Sequence, residues 1–185
     1  MSAELTKDAC IDVADALNLP HPGLVEKDFH VVRALRALNG IADKNSHLVF
    51  GGGTSLCRAY RLIERMSEDI DLRIVSANPL TNSERREFRQ KVTDCLLTAG
   101  FRFDPQNLVQ LNVCDGGRTF VFNLPYVPVT DRVTSLRPGV KVEISSWPLL
   151  RLPMMRPVSS FFAEARGGGR RSAGISLHGH HRNGR

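Results

Sequence analysis

Asp69 and Asp71 are separated by one residue in Ser67-Glu68-Asp69-Ile70-Asp71-Leu72, and apolar Ile70, Leu72 and Ile74 alternate with them. A period of two is the mark of a strand, and it puts both carboxylates on one face. Two adjacent carboxylates repel each other and call for a cation between them. Hard oxygen ligands that leave room for water and substrate phosphates suit Mg2+ or Mn2+. Such an ion bridges triphosphate oxygens, neutralises developing charge and helps to activate an attacking hydroxyl. An isolated Asp-x-Asp is at least as often a solvated acidic strand end.

A second group lies just upstream, in Phe50-Gly51-Gly52-Gly53-Thr54-Ser55-Leu56. An apolar run broken by glycines and followed by a helix start can seat a phosphate. Glycine lets the backbone approach an anion closely, and the free N–H groups at the helix start face it. Gly52, Gly53, Thr54 and Ser55 are the candidates, the last two adding hydroxyl donors. Alone, such a run more often makes a tight turn with a Ser/Thr cap. It is not a Walker A loop, because no Gly-Lys-Ser/Thr follows. Together the two motifs bring phosphate donors and metal ligands to one end of a sheet. A third carboxylate would complete the metal site, and Glu143 in Lys141-Val142-Glu143-Ile144 is the candidate. Val140, Val142 and Ile144 point the other way, so Glu143 shares its face with Lys141, which is placed to contact a phosphate. An ordinary exposed strand face is the competing reading for both.

The elements that position these residues follow from periodicity. Helices are expected over about 5–17 and 24–41, the second on the stripe Val25, Phe29, Val32, Leu35 and Leu38. A strand at 47–50 leads through the glycines into a helix at about 54–64, and a second strand covers 70–75. A turn-rich linker at 78–83 precedes a helix over 84–99, with Gly100 as its C-cap. Strands follow at 108–113, 119–127 and 140–144, the first two joined by the hairpin signal Asp115-Gly116-Gly117. Residues 159–165 begin another helix. The order predicts an α/β (α+β) domain around a mixed sheet flanked by helices.

With 185 residues the chain is long enough for one domain with a real core. No apolar run approaches a membrane span, and the N-terminus lacks a secretory pattern, so the expectation is a cytoplasmic protein with no membrane partner. Cys10, Cys57, Cys95 and Cys114 are scattered and form no CxxC pair, which reads as free, packed thiols. The net charge of +6 suggests nucleic acid, but five of those charges are the arginines of the last twenty residues, which hold no acid. The division expected is a domain over 1–165 and a disordered Arg/Gly/His-rich tail over 166–185.

The glycine run, Tyr60, Arg65 and Ser67-Glu68-Asp69-Ile70-Asp71-Leu72 together resemble the signature of the AbiEii/AbiGii toxin-type nucleotidyltransferases. Val25-Glu26-Lys27-Asp28-Phe29, with Leu35 and Leu38, is similar to the segment that precedes that signature. The resemblance runs from about residue 24 to about 160. It implies a polymerase-β-like nucleotidyltransferase fold and transfer of a nucleoside monophosphate from an NTP, with pyrophosphate leaving. It implies an RNA acceptor, the tRNA 3′ end in some members, and a separately encoded antitoxin. By position, Gly52, Gly53, Thr54 and Ser55 would hold the triphosphate, Asp69 and Asp71 the metal, and Arg65 and Ser67 would assist nucleotide binding. The chain departs from the family in lacking a C-terminal Lys followed by an Arg-Asp-x-x-Asp-type motif. A truncated, inactive nucleotide- or RNA-binding remnant is therefore one alternative; transfer to a protein hydroxyl is another, because the Asp-x-Asp chemistry is the same for either acceptor.

Overall fold

A computed structural model describes residues 5–39, 41–43, 46–51, 69–133, 135–146, 153–165 and 174–178. The chain begins with helix α1, Lys7–Ala16, capped by the Thr6 side chain accepting from the Ala9 amide. Helix α2, Pro22–Leu38, starts two residues earlier than its apolar stripe suggests. His21 caps it, accepting from the Gly23 amide, and Pro22 occupies the first turn, where a missing N–H costs nothing. Strands β1 (Ala42–Asp43), β2 (Ser46–Gly51) and β3 (Asp69–Ser76) follow. Helix α3, Asn82–Thr98, opens with a full capping box between Thr81 and Glu84. Arg85 donates to the Leu80 carbonyl and the Asn82 side chain at that same helix start.

The second half is mostly sheet. Strand β4, Leu111–Cys114, is joined to β5, Thr119–Leu124, by a 3-10 turn over Asp115–Gly117. Asp115, Gly116 and Gly117 all take positive φ there, so the hairpin signal stands. The expected strand at 108–113 is shifted. Residues 108–110 are turn, with Leu108 and Val109 exposed, because Asn107 caps that turn through the Val109 amide. The strand expected to reach residue 127 stops at Leu124, before Pro125, which has no N–H to give a ladder. Strand β6 is Val140–Ser145, β7 is Pro153–Pro157, helix α4 is Phe161–Ala165 and β8 is Gly174–His178. The last strand lies within the segment expected to be unstructured. Its Gly174-Ile175-Ser176-Leu177-His178 carries a short apolar alternation inside a composition that otherwise signals no core.

These strands form one mixed sheet in the order β4-β5-β6-β3-β2-β8-β7, with β1 paired to β2. β3 lies between β2, antiparallel to it, and β6, parallel to it. Alternation then separates two faces. Ile70, Leu72 and Ile74 of β3, Val140, Val142 and Ile144 of β6 and Phe120, Phe122 and Leu124 of β5 are buried together. Val31, Leu35 and Leu38 of α2 and Phe88, Val92 and Leu96 of α3 cover that face. A second cluster joins α1 (Cys10, Val13, Ala14) to Val25 of α2 and Phe162 of α4. Burial and the nearby Glu26 push the Cys10 thiol up to about 11, so it is an inert core residue. No helix among the described residues is long and apolar enough to cross a membrane.

Candidate active site

The opposite face of β3 and β6 carries the polar residues. The parallel register sets Asp69 beside Lys141 and Asp71 beside Glu143. Asp69, Asp71 and Glu143 therefore share one face and one end of the sheet. The third carboxylate comes from a strand more than sixty residues away in sequence, and only strand pairing brings it in. On the other side of β3, Gly51 lies opposite Asp71. β2 runs antiparallel, so it delivers the chain to the carboxylates at the point where the glycine motif begins. Gly52, Gly53, Thr54, Ser55, Arg65 and Ser67 themselves lie outside the described residues, as do Cys57, Tyr60 and the helix expected over 54–64.

The electrostatics are those of a crowded anionic site. The Asp71 carboxyl is pushed above its usual range by burial first, then by Glu143 and Asp69. Lys141 and Arg73 pull it the other way. The Lys141 ammonium lies 3.0 Å from Glu143 Oε2 and 3.8 Å from Asp69 Oδ2. Its hydrogen bond to Glu143 is the main reason its own pKa is raised. Lys141 thus sits as a cation among the carboxylates, rather than waiting apart for a phosphate. Arg137 Nη1 adds a second positive group 3.7 Å from Asp69 Oδ2.

Carboxylate oxygens gathered on one face, held in place by cationic side chains, fit a divalent ion in donor type and charge. Among the described residues, however, no three His, Cys, Asp or Glu groups close to metal-binding distance. The ammonium of Lys141 lies between Asp69 and Glu143.

Sequence reasoning missed the residues that hold this edge. Glu26, Lys27 and Asp28 on α2 are all buried, Lys27 with 0% exposure. Each ties a different segment to the helix. Glu26 accepts from the Val129 amide at 2.6 Å, the Thr130 amide at 3.0 Å and the Thr130 hydroxyl. Lys27 donates to the carbonyl of Arg137 at 2.8 Å and to that of Gly139. Asp28 accepts from the Phe161 amide at 2.7 Å. Lys27 therefore fixes the chain immediately before β6, and with it Arg137, Lys141 and Glu143. The Glu-Lys-Asp run was visible as part of a motif; its charge gave no sign that it is buried.

A mixed sheet with an Asp-x-Asp strand beside a strand bearing a further carboxylate, and with Gly51 at the same end, is the arrangement of a nucleotidyltransferase fold. The chain belongs to the AbiEii nucleotidyltransferase toxin family: the family model described as "Nucleotidyl transferase AbiEii toxin, Type IV TA system" matches residues 33–175. Among solved structures it is similar to MenT4, the nucleotidyltransferase toxin Rv2826c from Mycobacterium tuberculosis H37Rv, at 19% identity and a TM-score of 0.54. That match covers 94% of this chain and 55% of the other, and at this identity it shows the fold. The chain thus spans about half the length of that relative. No curated protein sequence matches.

Proposed function

We propose that this chain transfers a nucleoside monophosphate from an NTP to a hydroxyl at an RNA end, the tRNA 3′ end above all. In this reading it is the toxin of a pair with a separately encoded antitoxin. The observation that carries the reading is the register of β3 and β6, which aligns Asp69, Asp71 and Glu143 beside the end of β2. The acceptor oxygen bonds to the α-phosphorus, and the bond from that phosphorus to the α,β-bridging oxygen breaks. Pyrophosphate leaves with the electron pair, and the hydroxyl proton passes to a neighbouring carboxylate. Gly52, Gly53, Thr54 and Ser55 hold the triphosphate, assisted by Arg65 and Ser67. Asp69, Asp71 and Glu143 hold Mg2+ or Mn2+, which when bound neutralises the phosphate charge that develops during transfer. Lys141, beside these carboxylates, would supply a positive charge near the phosphates.

The test is incubation of the purified protein with Mg2+, each α-32P-labelled NTP in turn, total RNA and cell protein, followed by a denaturing gel. Label in an RNA band that disappears in Asp71→Asn and with EDTA is the expected result. Label in a protein band moves the acceptor to a side-chain hydroxyl. No label from a folded protein means a nucleotide- or RNA-binding remnant.

A further inference from the structure

A cavity of about 260 Å3 opens beside the carboxylate edge, between the first turns of α2 and the connection from β5 to β6. Its walls include Tyr126, Thr130, Arg132, Leu136 and Arg137. The acidic groups on the wall each have a partner of their own. Glu26 is taken up by the amides of Val129 and Thr130, and Asp131 by Lys7 at 3.0 Å. Arginine chemistry is what the wall offers a ligand. Arg137 connects the cavity to the site: its side chain is 65% exposed, lines the cavity, and reaches within 3.7 Å of Asp69. Its backbone is held from below by the buried Lys27 ammonium. A guanidinium is a planar fork suited to two oxygens of a phosphate, and the backbone that carries this one is anchored.

We infer that this cavity seats a phosphodiester of the RNA acceptor, gripped by Arg137; the inference rests on the nucleotidyl-transfer reading above. The side of the sheet decides between the two substrates. β2 ends at Gly51 on one flank of Asp71, next to the motif assigned to the NTP triphosphate. The cavity lies on the other flank, beyond the start of β6. In-line displacement puts the attacking hydroxyl and the departing pyrophosphate on opposite sides of the α-phosphorus. A donor on the β2 flank therefore leaves the β6 flank to the acceptor. The ion pair with Asp69 gives Arg137 a resting partner that it exchanges for the phosphodiester.

Arg137→Gln tests the assignment, with Arg102→Gln as a control of equal charge change at an exposed position outside the site. Two quantities are measured for wild type and both variants. One is the KM for the NTP in the labelling reaction. The other is the Kd for fluorescein-labelled total tRNA, by anisotropy without NTP. Loss of one charge-assisted phosphate contact is expected to weaken tRNA binding by Arg137→Gln about tenfold. The KM for NTP stays within about twofold, and Arg102→Gln changes neither. A raised KM for NTP with unchanged tRNA affinity moves Arg137 to the donor and overturns the inference. No change in either quantity overturns the cavity as a binding site. A folded wild type that neither incorporates label nor binds tRNA overturns the functional reading itself, which is a different failure from an active wild type indifferent to Arg137.

Discussion

At the scale of single residues, the site is a balance of like charges. Asp71 is the most frustrated member, raised by burial and by the two carboxylates beside it. On the proposed function, Asp71→Asn is expected to lower transfer by roughly a thousandfold, since metal stabilisation of a transferring phosphate is worth several kcal/mol. The same change relieves repulsion in the metal-free protein. Its thermal midpoint is expected to rise by about 2–4 °C, the shift that ~1 kcal/mol gives in a domain of this size. Calorimetry in EDTA reads this, and a lower midpoint would contradict the charge picture. His30 has a different role. It is buried against Tyr126, whose ring stacks on it at 4.0 Å, and neither ring nitrogen has a hydrogen-bond partner among the described residues. Burial, then Arg33 and Lys27, lower its pKa to about 4. The unfolded chain therefore takes up a proton before the folded one does. His30 thus favours the folded state fully above pH 6.5, and that contribution is lost as the pH falls from 6.5 through 4. The loss amounts to ~3 kcal/mol at the lower end. In urea titrations at pH 7 and pH 4.5, His30→Phe, which keeps the ring stack, should lose distinctly less stability than wild type.

At the scale of elements, α2 is the part that sets the site. A helix with a single apolar stripe ordinarily leaves its charged side to water. Here the β5–β6 connection and the start of α4 close over that side, and Glu26, Lys27 and Asp28 satisfy their backbone groups. Lys27→Met leaves the carbonyls of Arg137 and Gly139 without their charged donor. It is expected to cost about 2–4 kcal/mol in urea unfolding. Lys27→Arg recovers little, because a planar fork does not fit where a compact ammonium meets two carbonyls. Gly139 is constrained at the same place, with φ of +74° and a hypothetical Cβ only 2.6 Å from the Leu124 carbonyl oxygen. Gly139→Ala is expected to cost about 2 kcal/mol and to disturb the start of β6. Equal stability of wild type and Gly139→Ala would show that this backbone can shift freely, and that Arg137 is not anchored as described.

At the scale of the whole molecule, the carboxylate edge has sheet on both flanks. β8 pairs parallel with β2, Phe50 opposite Leu177, and antiparallel with β7. The family match extends to residue 175, within β8. Stopping the chain after residue 173 removes β8, leaves the Phe50 end of β2 unpaired on that side and detaches β7 from the sheet. An exposed edge of this kind templates association with other chains. The shortened protein is expected to lose roughly 5 °C or more in thermal midpoint, equivalent to ~2 kcal/mol. It is also expected to elute earlier and more broadly in size-exclusion chromatography. An unchanged midpoint and elution would mean that β8 adds nothing to the sheet.

Much of this was written in local pattern. The alternation about Asp69 and Asp71 determined a strand with both carboxylates on one face, because side-chain direction in a strand depends only on parity. The same rule placed Glu143 with Lys141, and the Asp115-Gly116-Gly117 turn followed from the positive φ that these residues tolerate. Which strands become neighbours is not a local property. Only the sheet brought Glu143 to Asp71 and Gly51 to the other side, since pairing joins segments far apart in sequence. Lys27 shows the limit most clearly. It lies two residues beyond Val25, about 200° around a helix that turns ~100° per residue, on the side that should face water. The segment that covers it is 110 residues away, so burial there belonged to the tertiary structure alone.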